Sequence, residues 1–326
     1  MKKLLITLIC LISLFTFSAC SNNSSNNNDQ AENDDVFNVG VVQLVQHEAL
    51  DAATQGFVDA LIEEFGEDKV KIDVQVAAGE ITNCSTIVNG FVANNVDLIM
   101  ANATPALQAA AATTSDIPIL GTSVTDYASA LEVDNWNGVV GNNISGTSDL
   151  APLDGQAAMI KELFPDAKSV GIIFCSSESN SAYQVEVISQ ELEKLGFEVK
   201  EFSFTDTNDI TSVVQNACDN ADVLFIPTDN TAAANTEAIA NVVLPAKKAV
   251  VSGEDGIARG CGVATLSISY YDLGVATGKQ AIRVLNGEDI TSMPIEYASN
   301  FTKKFNPSNC SELGISVPED YVSLDD

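Results

Sequence analysis

The feature that most constrains the fold is an alternation of short apolar runs with amphipathic stretches. The run FNVGVVQ (37–43) lacks polar alternation, and ALDAATQGFVDALIEEF (49–65) has apolar residues at helical spacing. Further elements alternate after them, with strands expected at 71–78, 97–103 and 117–124 and helices at about 81–94 and 104–114. Apolar strands separated by helices are typical of a parallel sheet that is covered on both faces. The sequence therefore predicts an α/β fold.

The second half of the chain repeats the first. VGVVQ, from Val39, is echoed by VGIIF, from Val170, and DLIMANATPALQAAA, from Asp97, by DVLFIPTDNTAAANTEA, from Asp222. The two offsets, 131 and 125 residues, are nearly equal. One long doubly wound sheet would also alternate in this way, but a near-constant offset favours two similar lobes, each an open parallel sheet.

Polar side chains follow the predicted strands in both halves. They lie at 43–47, 103–105, 122–126, 178–181, 228–230 and 254–255. In open parallel sheets, ligands bind beyond the carboxyl ends of the strands. Two lobes that present such edges to each other form a cleft able to close around a small molecule.

The N-terminus indicates export. Lys2 and Lys3 precede an apolar run too short to span a bilayer, and Ser18-Ala19 place two small residues before Cys20. This arrangement resembles a bacterial lipobox and predicts a lipoprotein signal peptide at 1–20, with Cys20 lipidated; ordinary secretion with an unmodified Cys20 is the alternative. Residues 21–36, rich in Asn and Ser, are expected to form a disordered tether.

Composition and motifs argue against several functions. A net charge of −30 opposes electrostatic binding of nucleic acid or anionic lipid. The chain has one histidine and no Gly-x-Ser-x-Gly, HExxH, nucleotide-binding loop or CxxC pair, so we expect no enzyme, no cofactor and no metal site. Of the five cysteines after Cys20, Cys175 and Cys218 lie in apolar patterns and are expected to be buried, and one disulfide is left open.

Several segments resemble a known family. VGVVQLVQHEALDAATQGFVDAL, IPILGTSVTD, SDLAPLDGQAAMIKELFPDAKSVGIIF, FIPTDNT and TLSISYYDLGVATGKQAIRVL are similar to ABC-transporter substrate-binding lipoproteins that include tryptophan- and phenylalanine-binding members. The resemblance implies a type I periplasmic-binding-protein fold with three crossovers. It implies lobes at 37–147 plus 270–292 and at 148–269 plus 293–326.

The same resemblance implies the function. A monomeric, extracytoplasmic protein that is lipid-anchored to the bacterial membrane would deliver an amino acid, with tryptophan or phenylalanine expected, to an ABC permease. A ligand-sensing or adhesion lipoprotein that feeds no transporter would have the same sequence features. Within the importer interpretation, a branched-chain amino acid or another small solute is the alternative ligand.

An amino-acid ligand requires partners for its two charged groups. A helix N-terminus suits the carboxylate, and Asn180-Ser181, before a helix expected from Ala182, and Thr104 both provide one, although such residues also serve as plain caps. A buried acid suits the ammonium, with Asp229 the first choice and Asp126 the second. Either acid could instead hold its own loop.

The remaining predicted ligand-binding residues come from the same strand ends and from the second crossover. His47, the only histidine, follows the first strand and is expected to make a polar or stacking contact. The others are Gln43, Thr125, Asn230, Asp255 and Tyr270.

Overall fold

The structure is a computed structural model and describes residues 36–325. The predicted signal peptide, Cys20 and all of the tether except its last residue lie outside the described residues. Thirteen strands are formed within 36–325: β1 (Phe37–Gln43), β2 (Val70–Val76), β3 (Leu98–Asn102), β4 (Ile119–Val124), β5 (Ile144–Ser148), β6 (Ser169–Cys175), β7 (Glu198–Phe204), β8 (Val223–Ile226), β9 (Val250–Ser252), β10 (Ala264–Ser267), β11 (Glu296–Tyr297), β12 (Thr302–Phe305) and β13 (Val322–Ser323).

Helices fill most of the connections. They are α1 (Glu48–Phe65), α2 (Ile81–Ala93), α3 (Thr104–Thr113), α4 (Tyr127–Ala130), α5 (Leu153–Leu163), α6 (Ser179–Lys194), α7 (Ile210–Asn220), α8 (Asn230–Ala233), α9 (Thr236–Val243), α10 (Asp255–Gly260), α11 (Tyr270–Leu285) and α12 (Pro307–Leu313), with a 3₁₀ turn at Ile290–Ser292. Across residues 36–325, no helix combines the length and the apolarity that crossing a membrane requires.

The strands form two separate sheets whose orders match. The first runs β11-β5-β4-β3-β1-β2 and the second β13-β12-β10-β9-β8-β6-β7. The order β5-β4-β3-β1-β2 therefore recurs as β10-β9-β8-β6-β7, and every neighbouring pair within these runs is parallel. The repeat seen in the sequence is thus a repeat of architecture. The predicted α/β fold with two open parallel sheets is confirmed.

Burial explains why these segments adopt their elements. In β1 the last five residues are all buried, as expected for a strand covered on both faces. Along α1, Leu50, Phe57 and Leu61 recur at helical spacing and are buried. Helix α11 approaches α1 closely, because Gly56 and Gly274 leave room where a Cβ would meet the opposite backbone. This pair of helices covers one face of the first sheet.

The chain crosses between the sheets three times within the described range. The crossings lie between β5 and α5, between β10 and α11, and between β11 and β12. Glu296–Tyr297 pairs with β5 of the first sheet, whereas the predicted division assigns 293–326 to the second lobe. The exact lobe boundaries stay a proposal.

The described cysteines are all unpaired. Cys84, Cys175, Cys218, Cys261 and Cys310 are buried, and no disulfide forms within residues 36–325. Burial raises the pKa of Cys84 to about 11, so its thiol stays protonated at neutral pH. These side chains act as small apolar core residues.

Candidate functional site

A small enclosed cavity lies where the carboxyl ends of the two sheets meet. This cavity, here called the inner cavity, has a volume of about 10 Å³ and draws its lining from both halves of the chain. The lining residues are His47, Leu50, Ser123, Thr125, Asp149, Asn180, Thr228, Asp229, Asn230, Ala233, Glu254 and Tyr270. This is about the space of one water molecule and far below the 300–1,000 Å³ usual for ligand pockets. A ligand of amino-acid size therefore needs the lobes to part before it can enter.

Four polar atoms of this lining are buried and have no hydrogen-bond partner. They are Nδ1 of His47, Oγ of Ser123, Oδ1 of Asp149 and Oδ1 of Asn180. Because buried polar groups are nearly always hydrogen-bonded in native proteins, each such group needs an explanation. Four of them lining one cavity make it the candidate ligand site.

Asp149 is the charged group among the four. It follows β5 directly, is 3% exposed, and accepts a hydrogen bond at Oδ2 from the Tyr270 hydroxyl at 2.9 Å. Burial raises the pKa of Asp149 to about 6, while Tyr270, the side chain of Thr125 and the backbone N–H of Asp149 act in the opposite direction. A carboxylate held in this way provides a free, negatively charged acceptor at Oδ1 when it is ionised.

Ser123 reaches the cavity through an irregular stretch of β4. Its φ of 53° lies in the left-handed region, and the register between β4 and β5 shifts between Gly121 and Val124. A bulge of this kind re-aims a side chain at the end of a strand. Non-glycine residues in this region are found disproportionately at functional sites.

Asn180 presents its oxygen to the cavity because its amide nitrogen is occupied. Nδ2 donates to Oε2 of Glu178 and to the carbonyl of Thr228, each at 3.2 Å. The orientation of the amide is therefore fixed, and Oδ1 remains as the free acceptor. Helix α6 begins at Ser179, so the expectation that Asn180-Ser181 precede the helix was wrong. Glu178 takes the N-cap position, and both residues lie in the first turn.

Asp229, the first-choice partner for an ammonium, is occupied by the protein. Its Oδ1 accepts from the backbone N–H of Ala232 at 2.8 Å, and its Oδ2 accepts from the N–H of Cys175 at 2.6 Å and from the Ser181 hydroxyl at 2.8 Å. Burial, followed by the nearby charge of Glu178, raises the pKa of Asp229. The side chain lines the cavity while it holds α8 and β6 together.

Adjacent acids at the start of α10 separate into two roles. Glu254 lines the cavity and accepts from the N–H of Gly256 at 2.7 Å and from that of Ile257, and burial raises its pKa to about 7. Asp255, the predicted residue, forms an ion pair with Lys304 instead and is absent from the lining. One position along the chain reverses the direction of the side chain.

Four further predicted residues lie outside the lining of the inner cavity. One is Ser181, whose hydroxyl donates to Asp229 at 2.8 Å. Gln43 is held by Asp51 and Thr54, each at 2.6 Å, and so fixes the start of α1. Asp126 caps α4 through the N–H of Ser129 at 2.7 Å. Thr104 is buried at the start of α3, where its hydroxyl has no partner. Their ligand-binding roles stay predictions.

Three contacts join the two lobes across the cleft. His47 Nε2 lies 3.4 Å from Oδ1 of Asn230, and Gln108 Nε2 donates to Ser179 at 3.4 Å. Arg259 Nε donates to both carboxylate oxygens of Glu48 at 3.0 Å. The lobes therefore lie in a closed arrangement.

A second compartment, here called the outer cleft, adjoins the inner cavity at Asn230. Apolar side chains of Leu44, Val45, Ile81 and Pro105 from the first lobe line it, and the second lobe contributes 177–178, 205–207, 230–231 and 234–235. Ile81 is 47% exposed there. The outer cleft thus combines apolar surface with access to solvent.

Sequence reasoning placed Ser123, Thr228 and Glu254 in strand-end clusters at the cleft without giving them a ligand-binding role, and it missed Asp149. Each lies at or just after the carboxyl end of a strand, in β4, β5, β8 or β9. Asp149 was the hardest to find, because the strand before it, ISGTS, lacks the large apolar residues that mark the other strands. Its position at the end of a β-strand was the one available signal.

Two parallel-sheet lobes closed over a polar cavity are the architecture of a type I periplasmic binding protein. The family model described as "ABC transporter substrate binding protein" matches residues 38–325. The chain belongs to this family, whose members bind small molecules outside the cytoplasm, act with ABC permeases and are not enzymes.

Individual relatives agree with this assignment. The chain is 33% identical over 301 residues to a tyrosine-binding protein of Clostridioides difficile, covering 90% of this chain and 87% of the relative. It is 35% identical to an ABC domain from Streptococcus pneumonia solved in complex with L-Trp, with a TM-score of 0.84, covering 87% of this chain and 96% of that one.

A third relative differs in conformation. The ligand-free, open structure of a substrate-binding protein with adhesive properties from Clostridium difficile is 34% identical, with a TM-score of 0.68, covering 88% of this chain and 99% of that one. At nearly equal identity, the chain superposes more closely on the complex with L-Trp than on the open structure. This difference agrees with the contacts that join the lobes here.

Proposed function

We propose that this chain is the solute-binding lipoprotein of an ABC importer and captures an amino acid with an aromatic side chain. The observation that carries the proposal is the set of unpartnered atoms in the inner cavity. Oδ1 of Asn180 is an acceptor that cannot donate, and the same holds for Oδ1 of Asp149 once the carboxyl is ionised. Both atoms are buried. Acceptors with one negative charge suit an ammonium group.

The ammonium of the ligand has three N–H donors and a positive charge. Ionised Asp149 supplies the opposite charge, which a cation removed from water requires. Its second oxygen is already held by Tyr270, so the free oxygen is fixed in direction. Asp149 thereby replaces Asp229 as our first choice for the ammonium, since all three hydrogen bonds of Asp229 lie within the protein.

The outer cleft supports an aromatic side chain. Leu44, Val45, Ile81 and Pro105 offer apolar contact beside Asn230, where the two compartments meet. A ring placed there would bury surface that Ile81 now exposes. The tyrosine and L-Trp bound by relatives have such rings, and phenylalanine remains in the predicted range.

A thermal-shift screen of the purified protein tests the proposal. The panel holds tyrosine, tryptophan, phenylalanine, the branched-chain amino acids, short peptides and sugars. A ligand at a hundredfold its Kd should add about 2.7 kcal/mol to the free energy of unfolding. Stabilisation by an aromatic amino acid, but not by its N-acetyl derivative, is the expected result. Stabilisation by a branched-chain amino acid or a sugar alone would overturn the aromatic assignment.

A ligand-sensing or adhesion role is the second candidate, because a relative at 34% identity has adhesive properties. Uptake of labelled amino acid is measured in cells with and without the protein. Uptake that falls when the protein is missing supports the importer role, and unchanged uptake supports the sensing or adhesion role.

The lipid anchor is tested by Cys20→Ser, which should move the protein from the membrane fraction to the medium. A Cys20→Ser variant that stays in the membrane fraction would contradict the lipid anchor.

A further inference from the structure

We propose that Glu178 is a positioning residue that determines which ring nitrogen of His47 carries the proton, so that Nδ1 accepts a hydrogen bond from the ligand. The inference rests on the proposed function for its ligand. The structural part concerns three side chains, Glu178, Asn230 and His47. Two of them belong to the second lobe and one to the first.

Glu178 fixes the amide of Asn230. Its carboxylate is 5% exposed, and Oε2 accepts from Nδ2 of Asn230 at 2.6 Å and from the backbone N–H of the same residue at 3.1 Å. The other oxygen accepts from the N–H and the hydroxyl of Thr231, at 2.9 and 2.7 Å. A carboxylate can only accept at these positions. The amide nitrogen of Asn230 must therefore point toward Glu178, and its oxygen toward His47.

The oxygen of Asn230 then selects the tautomer of His47. Oδ1 lies 3.4 Å from Nε2, a long contact that is favourable only when Nε2 carries the hydrogen. With the hydrogen on Nδ1, two acceptors would face each other at Nε2, and a buried donor at Nδ1 would have no partner. A neutral imidazole protonated at Nε2 leaves Nδ1 as an acceptor that faces the inner cavity.

This arrangement changes what the cavity can bind. With Nδ1 of His47 as an acceptor, three of the four unpartnered atoms can only accept, on His47, Asp149 and Asn180, whereas the Ser123 hydroxyl can also donate. That number equals the number of N–H donors on a primary ammonium. The site would therefore favour primary amines over N-methylated ones and over ligands that lack the amine.

The arrangement also requires the lobes to be together. His47 lies between β1 and α1 of the first lobe, while Glu178 and Asn230 lie at the starts of α6 and α8 in the second. Parting the lobes removes Asn230 from Nε2, and the ring is then free to take either tautomer. A ligand that donates to Nδ1 stabilises the same tautomer as Asn230 does, and so favours the closed form.

Because His47 is the only histidine in the chain, nitrogen NMR of the untagged, ¹⁵N-labelled protein at neutral pH reports its tautomer without ambiguity. Glu178→Gln and Asn230→Ala should each remove the preference of His47 for the tautomer protonated at Nε2. Asn230→Ala does so without altering a buried charge. Asp289→Asn is the matched control, since Asp289 likewise accepts from the N–H and hydroxyl of one threonine, Thr291, far from the cleft.

The parent protein and Asp289→Asn should show Nδ1 unprotonated in a larger fraction of molecules than either test variant. Equal tautomer ratios in the parent and Asn230→Ala, or a parent with Nδ1 protonated, would overturn the proposal. With L-tyrosine or L-tryptophan as the probe, both test variants should bind about tenfold more weakly. If no compound in the thermal-shift panel binds but the tautomer ratios are as expected, the proposed function is rejected and the role of Glu178 stands.

Discussion

The hydroxyl of Tyr270 donates to Oδ2 of Asp149 at 2.9 Å, although 121 residues separate them in sequence. Asp149 lies at the first crossover and Tyr270 at the second. The hydrogen bond therefore ties the inner cavity to the region about which the lobes must move. A ligand that binds Asp149 contacts this region directly, which links ligand binding to closure.

Asp149→Asn should separate stability from binding. The pKa of Asp149, raised from 3.8 to about 6 by burial, corresponds to about 3 kcal/mol against its charged form. Removing the charge should raise the free energy of unfolding of the ligand-free protein by up to about 3 kcal/mol at pH 8, as measured by denaturant titration. Loss of the ion pair should weaken amino-acid binding about 100-fold by calorimetry.

Asp154→Asn is the control for Asp149→Asn. Asp154 lies five residues later in the first turn of α5 and is exposed, so its substitution should leave binding unchanged. An Asp149→Asn protein that binds as tightly as the parent would reject the assignment of Asp149 to the ammonium.

Affinity for an amino acid should rise with pH through about 6 and then level off. Asp149 has a raised pKa in the folded protein, so its contribution to stability is lost as pH rises from about 4 to 6. A bound ammonium favours the ionised form, and binding therefore strengthens over the same range. Calorimetry at successive pH values measures this, with proton release expected near pH 6.

Other titratable groups around the cavity also favour a bound cation as pH rises. His47, whose pKa burial lowers despite opposing effects from Asn230, Glu178 and Asp51, opposes a cation only when it is protonated at lower pH. Glu254 has a pKa raised to about 7, and burial also raises the pKa of Asp229. An affinity that falls between pH 5 and 7 would contradict the prediction.

Tyr270→Phe should move the midpoint of this pH profile to higher pH. The hydrogen bond from Tyr270 lowers the pKa of Asp149, so its loss leaves burial less opposed. Tyr271→Phe is a matched control, because the neighbouring hydroxyl donates to the surface residue Asp59 at 2.9 Å. Equal midpoints for the two variants would show that the contact between Tyr270 and Asp149 does not govern the profile.

Glu48→Gln should weaken ligand binding two- to fivefold at low salt and hardly at all at high salt. Arg259 bonds both oxygens of Glu48 across the cleft, but the two side chains are 42% and 47% exposed. Exposed ion pairs contribute little and are screened by salt. Calorimetry at two ionic strengths checks this, with Glu191→Gln, which breaks a pair with Lys194 inside α6, as the control. A salt-independent loss would point to another role for Glu48.

Gly274→Ala should destabilise the protein by about 3 kcal/mol. A Cβ on Gly274 would clash with the carbonyl of Ala53, where α11 packs on α1. Gly90→Ala is the control, because nothing lies within 4 Å of a Cβ built there on helix α2, and removing a helical glycine should stabilise by up to about 1 kcal/mol. Denaturant midpoints compare the two, and equal midpoints would show that α1 and α11 can separate at no cost.

Much of the fold could be predicted because its strands are covered on both faces. Uninterrupted apolar runs identified β1 through β4 within one or two residues, and β1 was predicted with its observed bounds. Strand β5 escaped prediction, because Ser145, Gly146 and Thr147 carry no apolar signal. Its burial comes from neighbours distant in sequence, such as the carbonyl of Met293, which accepts from Ser145 at 3.1 Å.

The candidate site was predicted at the level of strand ends rather than of individual side chains. His47, Thr125, Asn180, Asp229, Asn230 and Tyr270 all line the inner cavity. The choice between Glu254 and Asp255 depends on one turn of backbone at the start of α10, and the sequence marks both as acids at a helix start. Whether an oxygen is free, as in Asp149, or occupied, as in Asp229, depends on partners about 50 to 120 residues away.

The three crossovers have a consequence for the order in which the chain can fold. The first sheet lacks its edge strand until Tyr297 has been made, and α1 lacks its packing partner until α11 has followed more than 200 residues later. Contacts so distant in sequence form late and slowly. During synthesis, the stripe of α1 that carries Ala53, Gly56 and Ala60 therefore stays uncovered until α11 has been made. Exposed apolar surface makes an incomplete chain prone to aggregation, so the risk persists until the C-terminal third has been synthesised.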